Sequence, residues 1–253
     1  NIRPWESDGT TFIVINGGKV RAVSSFEKEG DMLLDLRSNS LDKDQSLSFN
    51  RRMIFRGQRA FGSFLELDGA GCSVQMPRST SEVIVVPDGK KVTLKNLVLR
   101  DLCPEHIKLG VDSSLTFGDG ILLQLSEDCV LTSTWRFAGR AVIDGRYKNL
   151  DLALSTSAGL IVEQGGALRI VNTNISGVCD KKLFIADDNS SLELMSSVVL
   201  LSGNCTVTSG SLVIANDVYL QGPHSCFSFA STGTLVLKYG ANLHIDSDVS
   251  LLY

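Results

Sequence analysis

Apolar positions along the last ninety residues recur with a short and regular rhythm. The copies read GGALRIVNTNISGV from Gly165, NSSLELMSSVVLLSG from Asn189, SGSLVIANDVYLQGP from Ser209 and TGTLVLKYGANLHI from Thr232. Aligning Leu168, Leu192, Leu212 and Leu235 gives steps of 24, 20 and 23 residues. Such a period is too short for an autonomous domain; it is that of one β-solenoid coil, which buries its apolar face by stacking on the next. Within a copy, residues two apart face the same way, as in Leu192-Glu193-Leu194 and Leu212-Val213-Ile214. Asn172, Ser196 and Asn216 fall where a corner is expected, and a second short strand begins at Ile175, Val198, Val218 or Leu243. Gly165-Gly166, Asp187-Asp188-Asn189, Ser209-Gly210 and Thr232-Gly233 separate the copies and suit tight bends.

The rhythm extends towards the N-terminus. Lys91 to Leu99 has the same strand–Asn–strand form, and Leu115 lies 23 residues after Val92. Phe137 and then Leu160-Ile161-Val162 continue the step, and Trp135 to Leu152 reads as another coil. Coils are expected from about residue 62 to Tyr253. Helical periodicity is absent from that stretch, and two-residue hairpin signals are few.

Residues 1–61 differ in kind. Of 52 charged residues, 18 fall in the first 60 positions, leaving 34 for the other 193. Phe12 to Ile15 reads as a strand, Asn16-Gly17-Gly18 as a turn and Lys19 to Val23 as a second strand; Phe26 to Phe49 has room for one short helix. Because a solenoid exposes its core at each end unless a polar element covers it, this segment is read as a cap and a candidate assembly segment. At the other end the sequence closes on Val249-Ser250-Leu251-Leu252-Tyr253, a strand pattern with no polar cap after it. Three accounts stand side by side: the chain continues in a longer protein, Tyr253 covers the strand itself, or copies stack end to end.

The coil pattern, with Asn at corners and Ile143-Asp144-Gly145 followed by Leu150-Asp151-Leu152, resembles the right-handed parallel β-helix superfamily. That group includes pectate lyases, polygalacturonases, phage tailspikes and autotransporter passenger domains. The last coils look most like those of secreted bacterial surface proteins. The expected fold is all-β, a right-handed parallel β-helix (β-solenoid) over residues 62–253, with a charged N-terminal capping segment over 1–61. Fold likeness does not carry activity with it.

Polygalacturonase-like hydrolysis requires clustered aspartates, whereas Asp187-Asp188 is the one adjacent aspartate pair and Asn172-Thr173-Asn174 offers amides, which cannot exchange a proton. Asp187-Asp188-Asn189-Ser190 reads as a turn, and Glu163 and Glu193 are the main acids on the later strands. His106, His224 and His244 stand apart from other metal-ligand types; Cys103 with His106 reads as a loop cysteine and a solvated histidine. No phosphate-cradling loop is present. Six cysteines at 72, 103, 129, 179, 205 and 226 admit disulfides, and Cys205 with Cys226 lies close to one coil apart, but buried free thiols are the preferred account. Arg51, Arg52, Arg56 and Arg59 cluster, yet the formal net charge of −4 argues against nucleic acid. No apolar run approaches the roughly 18 residues of a membrane-spanning helix.

The reading is a secreted or surface-exposed structural or adhesive module, extracellular or at the cell surface, without cofactor, metal or catalysis. Its partners are further copies of itself, or a host surface or glycan. Phe12, Val14, Val249, Leu251 and Tyr253 are the candidate assembly residues, acting by β-augmentation. A polysaccharide lyase or hydrolase using Asp187 and Asp188 is the alternative, and a glycan-binding module using Tyr147 or Tyr219 is a third.

Overall fold

The computed structural model describes residues 2–7, 10–16, 32–38, 46–48, 53–54, 64–76, 84–86, 88–89, 91–153 and 156–253. These residues are nearly all β and form parallel stacked coils, a β-solenoid of about seven turns. The chain divides into two compact units, Asn1–Leu123 and Gln124–Tyr253.

In the second unit each coil contributes strands to three faces. The first face begins with Thr134–Phe137, Gly159–Val162 and Leu183–Ile185; the strands Cys205–Val207, Ser225–Phe229 and Val249–Leu252 form a further parallel stack. The second face stacks the opening halves of Arg140–Asp151 and Ala167–Val178, then Ser191–Met195, Ser211–Ile214 and Thr234–Leu237. The third face takes the closing halves of those two long strands, then Ser197–Leu201, Val218–Gln221 and Leu243–Ile245.

The registers follow the sequence rhythm. Leu168 pairs with Leu192, Leu192 with Leu212 and Leu212 with Leu235, so the steps of 24, 20 and 23 are true coil lengths. On the first face the phase differs by two residues from the alignment through Phe137: Trp135 pairs with Leu160, and Phe137 with Val162. The inward residues Leu168, Ile170, Leu192, Leu194, Leu212 and Ile214 are all buried, while Arg169 and Glu193 between them point outward. Each fully buried Leu or Ile contributes about 1.5–3 kcal/mol of transfer free energy.

The corners explain the polar residues of the pattern. Asn172 and Ser196 adopt left-handed conformations with φ of 50° and 49°, and Asn96 does the same at 48°. Asn tolerates this region because its short side chain makes local bonds, so one residue turns the chain from one face to the next. Side-chain acceptors also tie coils together. The backbone N–H groups of Asn149, Thr206 and Cys226 donate to Asp128, Asp180 and Asn204 at 2.8, 2.8 and 3.1 Å.

In the first unit Phe64–Gln75 pairs in parallel with Lys91–Leu102, which pairs with Ser114–Phe117; Leu115 lies opposite Val92. A six-stranded sheet runs Ile2–Ser7, Thr10–Asn16, Met32–Ser38, Met53–Ile54, Ile84–Val86 and Ile107–Leu109. Every pairing in it is parallel except that of Ile2–Ser7 with Thr10–Asn16. Apart from Ile2–Ser7, the described strands before residue 62 therefore carry the same parallel pairing as those after it. Of the stretch from Phe26 to Phe49, which has room for a short helix, the described parts are the strands Met32–Ser38 and Ser46–Ser48, and in the first Met32, Leu34 and Leu36 recur with period two; the rest lies outside the described residues. The strand expected at Lys19 to Val23 lies outside the described residues.

Candidate functional site

The coil that closes the second unit is built like those before it but is covered on one side only. Ile214 and Leu237 occupy the same inward column, as do Leu220 and Ile245. Ile214 and Leu220 are 0% and 5% exposed, whereas Leu237 and Ile245 are 55% and 40% exposed. Of the candidate assembly residues, Val249 is buried and pairs with Ser225, and Leu251 pairs with Phe227. Tyr253 is exposed, its ring 5.8 Å from that of Phe229. Thr234–Leu237, Leu243–Ile245 and Val249–Leu252 pair in parallel with Ser211–Ile214, Val218–Gln221 and Ser225–Phe229, the strands of the coil before.

Phe12 and Val14 lie on Thr10–Asn16, which is paired along both edges, antiparallel with Ile2–Ser7 and parallel with Met32–Ser38. The edge strands of that sheet, among the described residues, are Ile2–Ser7 and Ile107–Leu109.

The acids weighed as proton donors each hold the coils together. Asp187 accepts from Ser190 Oγ and from the N–H groups of Gly165 and Asn189, both at 3.2 Å. The Ser190 hydrogen bond holds its carboxyl below the usual carboxylate range. Asp188 accepts from Thr232 Oγ1. Glu163 pairs with Arg136 at 2.7 Å, and Glu193 with Arg169 Nε at 2.9 Å and Lys238 Nζ at 2.8 Å. The turn reading of Asp187-Asp188-Asn189-Ser190 matches this geometry: Asp187 accepts the Asn189 and Ser190 bonds that close the bend, while Asp188 reaches across the stack to Thr232.

No group of three or more metal-ligating side chains occurs among the described residues. His106 departs from expectation: it is buried, and its Nδ1 accepts the Cys103 N–H at 3.1 Å across the 3₁₀ turn Pro104–His106. The tight turn folds the ring back onto its own backbone, which removes it from solvent. Cys103, Cys129, Cys179, Cys205 and Cys226 are free thiols. Cys205 pairs in register with Phe227 and Cys226 with Ser250, so the two do not face each other. Burial pushes the Cys205 thiol up to about 12, with Asp180 and Cys179 adding to the effect.

Two aromatic sites stand on the surface. Tyr219 stacks on His244 with ring centroids 4.4 Å apart, and His244 Nε2 lies 3.6 Å from Asp217, which also accepts from Asn242 at 2.8 Å. Tyr147 is 73% exposed beside Arg146, which reaches Gln124 Oε1 at 2.9 Å. Sequence reasoning passed over Tyr239, the most exposed aromatic of the described residues; its signal was the turn glycine that follows, Gly240, at φ 75°. No helix among the described residues is long and apolar enough to cross a membrane. Comparison of the chain with protein-family models, curated proteins and solved structures gave no match.

Proposed function

We propose that the chain is a non-catalytic structural or adhesive β-solenoid, extracellular or at the cell surface, that stacks end to end through its closing coil. The observation that carries this reading is the inward column ending at Leu237 and Ile245, apolar and half-open where its equivalents one coil earlier are buried. An occupant of that rung must bring strands that continue three parallel ladders; a further coil of a longer chain and a second copy of this one are both built of such strands, and the second copy is the occupant tested below. A head-to-tail contact that does not close generates a filament. The resemblance to β-helix surface proteins points the same way, and the engagement of Asp187, Asp188, Glu163 and Glu193 in bonds of the scaffold weighs against assigning them to hydrolysis.

Negative-stain electron microscopy across a concentration series tests this. Fibres with a regular axial repeat are expected, lost when Leu251 and Tyr253 are replaced by lysine. Discrete short rods at every concentration would overturn the assembly reading.

A further inference from the structure

A copy that continues parallel ladders from another must present a parallel strand edge of its own, and in the N-terminal sheet that edge is covered. From Thr10–Asn16 through Met32–Ser38, Met53–Ile54 and Ile84–Val86 to Ile107–Leu109, neighbouring strands run parallel. Ile2–Ser7 breaks the run. It lies antiparallel on Thr10–Asn16, from Ile2 opposite Ile15 to Ser7 opposite Thr10. Only Asp8 and Gly9 separate the two strands in sequence, a pair that favours a two-residue hairpin. Among the described residues Ile2–Ser7 is an edge strand, whereas Thr10–Asn16 has a neighbour on each side. The strand that holds the candidate assembly residues Phe12 and Val14 is thus parallel on one edge and occupied by an antiparallel neighbour on the other.

Ile2–Ser7 has the composition of a guard. A bare strand edge is a template for another chain, and proteins blunt such edges with charged residues, proline or a short covering element. Arg3, Pro4 and Glu6 supply two charges and a proline in one short strand. Proline is tolerated in a strand where its missing N–H would point away from the ladder, so Pro4 takes a donor from the side facing outward. Thr10–Asn16 reads Thr-Thr-Phe-Ile-Val-Ile-Asn, β-branched and aromatic up to its last residue and free of charge and proline. The adhesive strand lies inside and the blunt one outside. A strand bonded along one edge opens more readily than one bonded along both.

We propose that Ile2–Ser7 is an autoinhibitory strand, which must leave Thr10–Asn16 before the closing coil of a second copy can pair there. This rests on the stacking reading above and adds its control. While Ile2–Ser7 is in place, a docking copy meets an antiparallel, blunted edge. Once it is displaced, Thr10–Asn16 offers freed N–H and C=O groups, and the parallel run that begins at Ile107–Leu109 ends on a strand able to take another in the same direction. The two partners compete for the same backbone groups of Thr10–Asn16, so the covered and the stacked arrangements exclude each other. Docking affinity then scales with the fraction of copies whose strand is open.

The test locks or loosens this strand in the full chain, with assembly followed by light scattering and negative-stain electron microscopy. Ile2 and Ile15 lie opposite each other at the end away from the turn. Directly opposed residues of an antiparallel pair are roughly 4.5–5.5 Å apart at Cα, within disulfide range, so Ile2→Cys with Ile15→Cys can tie the strand down. The oxidised form is expected to stay as short rods, and reduction of the same sample to release fibres. Trp5→Gly, which weakens Ile2–Ser7 alone, should lower the concentration at which fibres appear by about tenfold or more. Fibres from the oxidised form at the concentration that the reduced form needs, or a Trp5→Gly chain that needs as much protein as the parent, would overturn autoinhibition and leave stacking standing. Short rods from the parent and Trp5→Gly alike would overturn stacking itself, and autoinhibition with it.

Discussion

Glu193 illustrates what an outward residue does in a solenoid. Its carboxylate joins Arg169, 24 residues before it, to Lys238, 45 residues after it. Burial pushes its pKa up, but hydrogen bonds and charge from Lys238 and Arg169 outweigh that and leave it below the ordinary glutamate value. A depressed folded-state pKa gives stability that is present above the unfolded value of about 4.3 and lost as pH falls through the folded one. Glu193→Gln should therefore lower the urea midpoint at pH 7, with the gap to the parent closing by about pH 3. High salt should narrow it as well, since the cluster is partly exposed. A gap independent of pH would show that the charge is not what matters. The acid itself was legible in the sequence; its partners were not, because outward positions carry no hydrophobic pattern to align them.

At the scale of the element, the bends between strands divide into those that are free and those that are packed. Gly165 and Gly210 have nearly equal φ of 69° and 70°. A Cβ at Gly165 meets open space, whereas one at Gly210 falls 2.6 Å from Ser190 O and 2.7 Å from Asp187 O. Alanine at Gly165 should cost about 1 kcal/mol, the conformational part alone. Alanine at Gly210 should cost about 2–4 kcal/mol, because backbone must move as well. Equal losses in urea titrations would mean that the Gly210 bend relaxes. Turn positions were readable from Gly, Asn, Asp and Ser, and Asn172 and Ser196 are the corners that their spacing indicated. Which bend is tight was unreadable, since the crowding atoms belong to the neighbouring coil.

For the whole molecule, stability in a stack is a sum over neighbouring coils, so position along the column decides the effect of a truncation. Leu194, Ile214 and Leu237 form one inward column. Leu194→Ala, in its interior, should cost about 3 kcal/mol. Leu237→Ala, at the open rung, should cost less than about 1 kcal/mol in dilute protein. If the two variants unfold at the same urea concentration under dilute conditions, the closing rung is covered in solution. A larger loss for Leu237→Ala at concentrations that yield fibres would tie that cover to assembly.

The sequence by itself determined the coil: its length, its inward columns at Leu168, Leu192, Leu212 and Leu235, and its corners. These follow from alternation along a strand and from turn chemistry, both local. Tertiary structure alone decided what meets across coils. It paired Trp135 with Leu160, buried His106 against its own turn, kept Cys205 apart from Cys226, and brought Tyr147 and Tyr239 to one edge. The physical reason is that contacts between coils span 20 or more residues, and loops of unequal length set their phase.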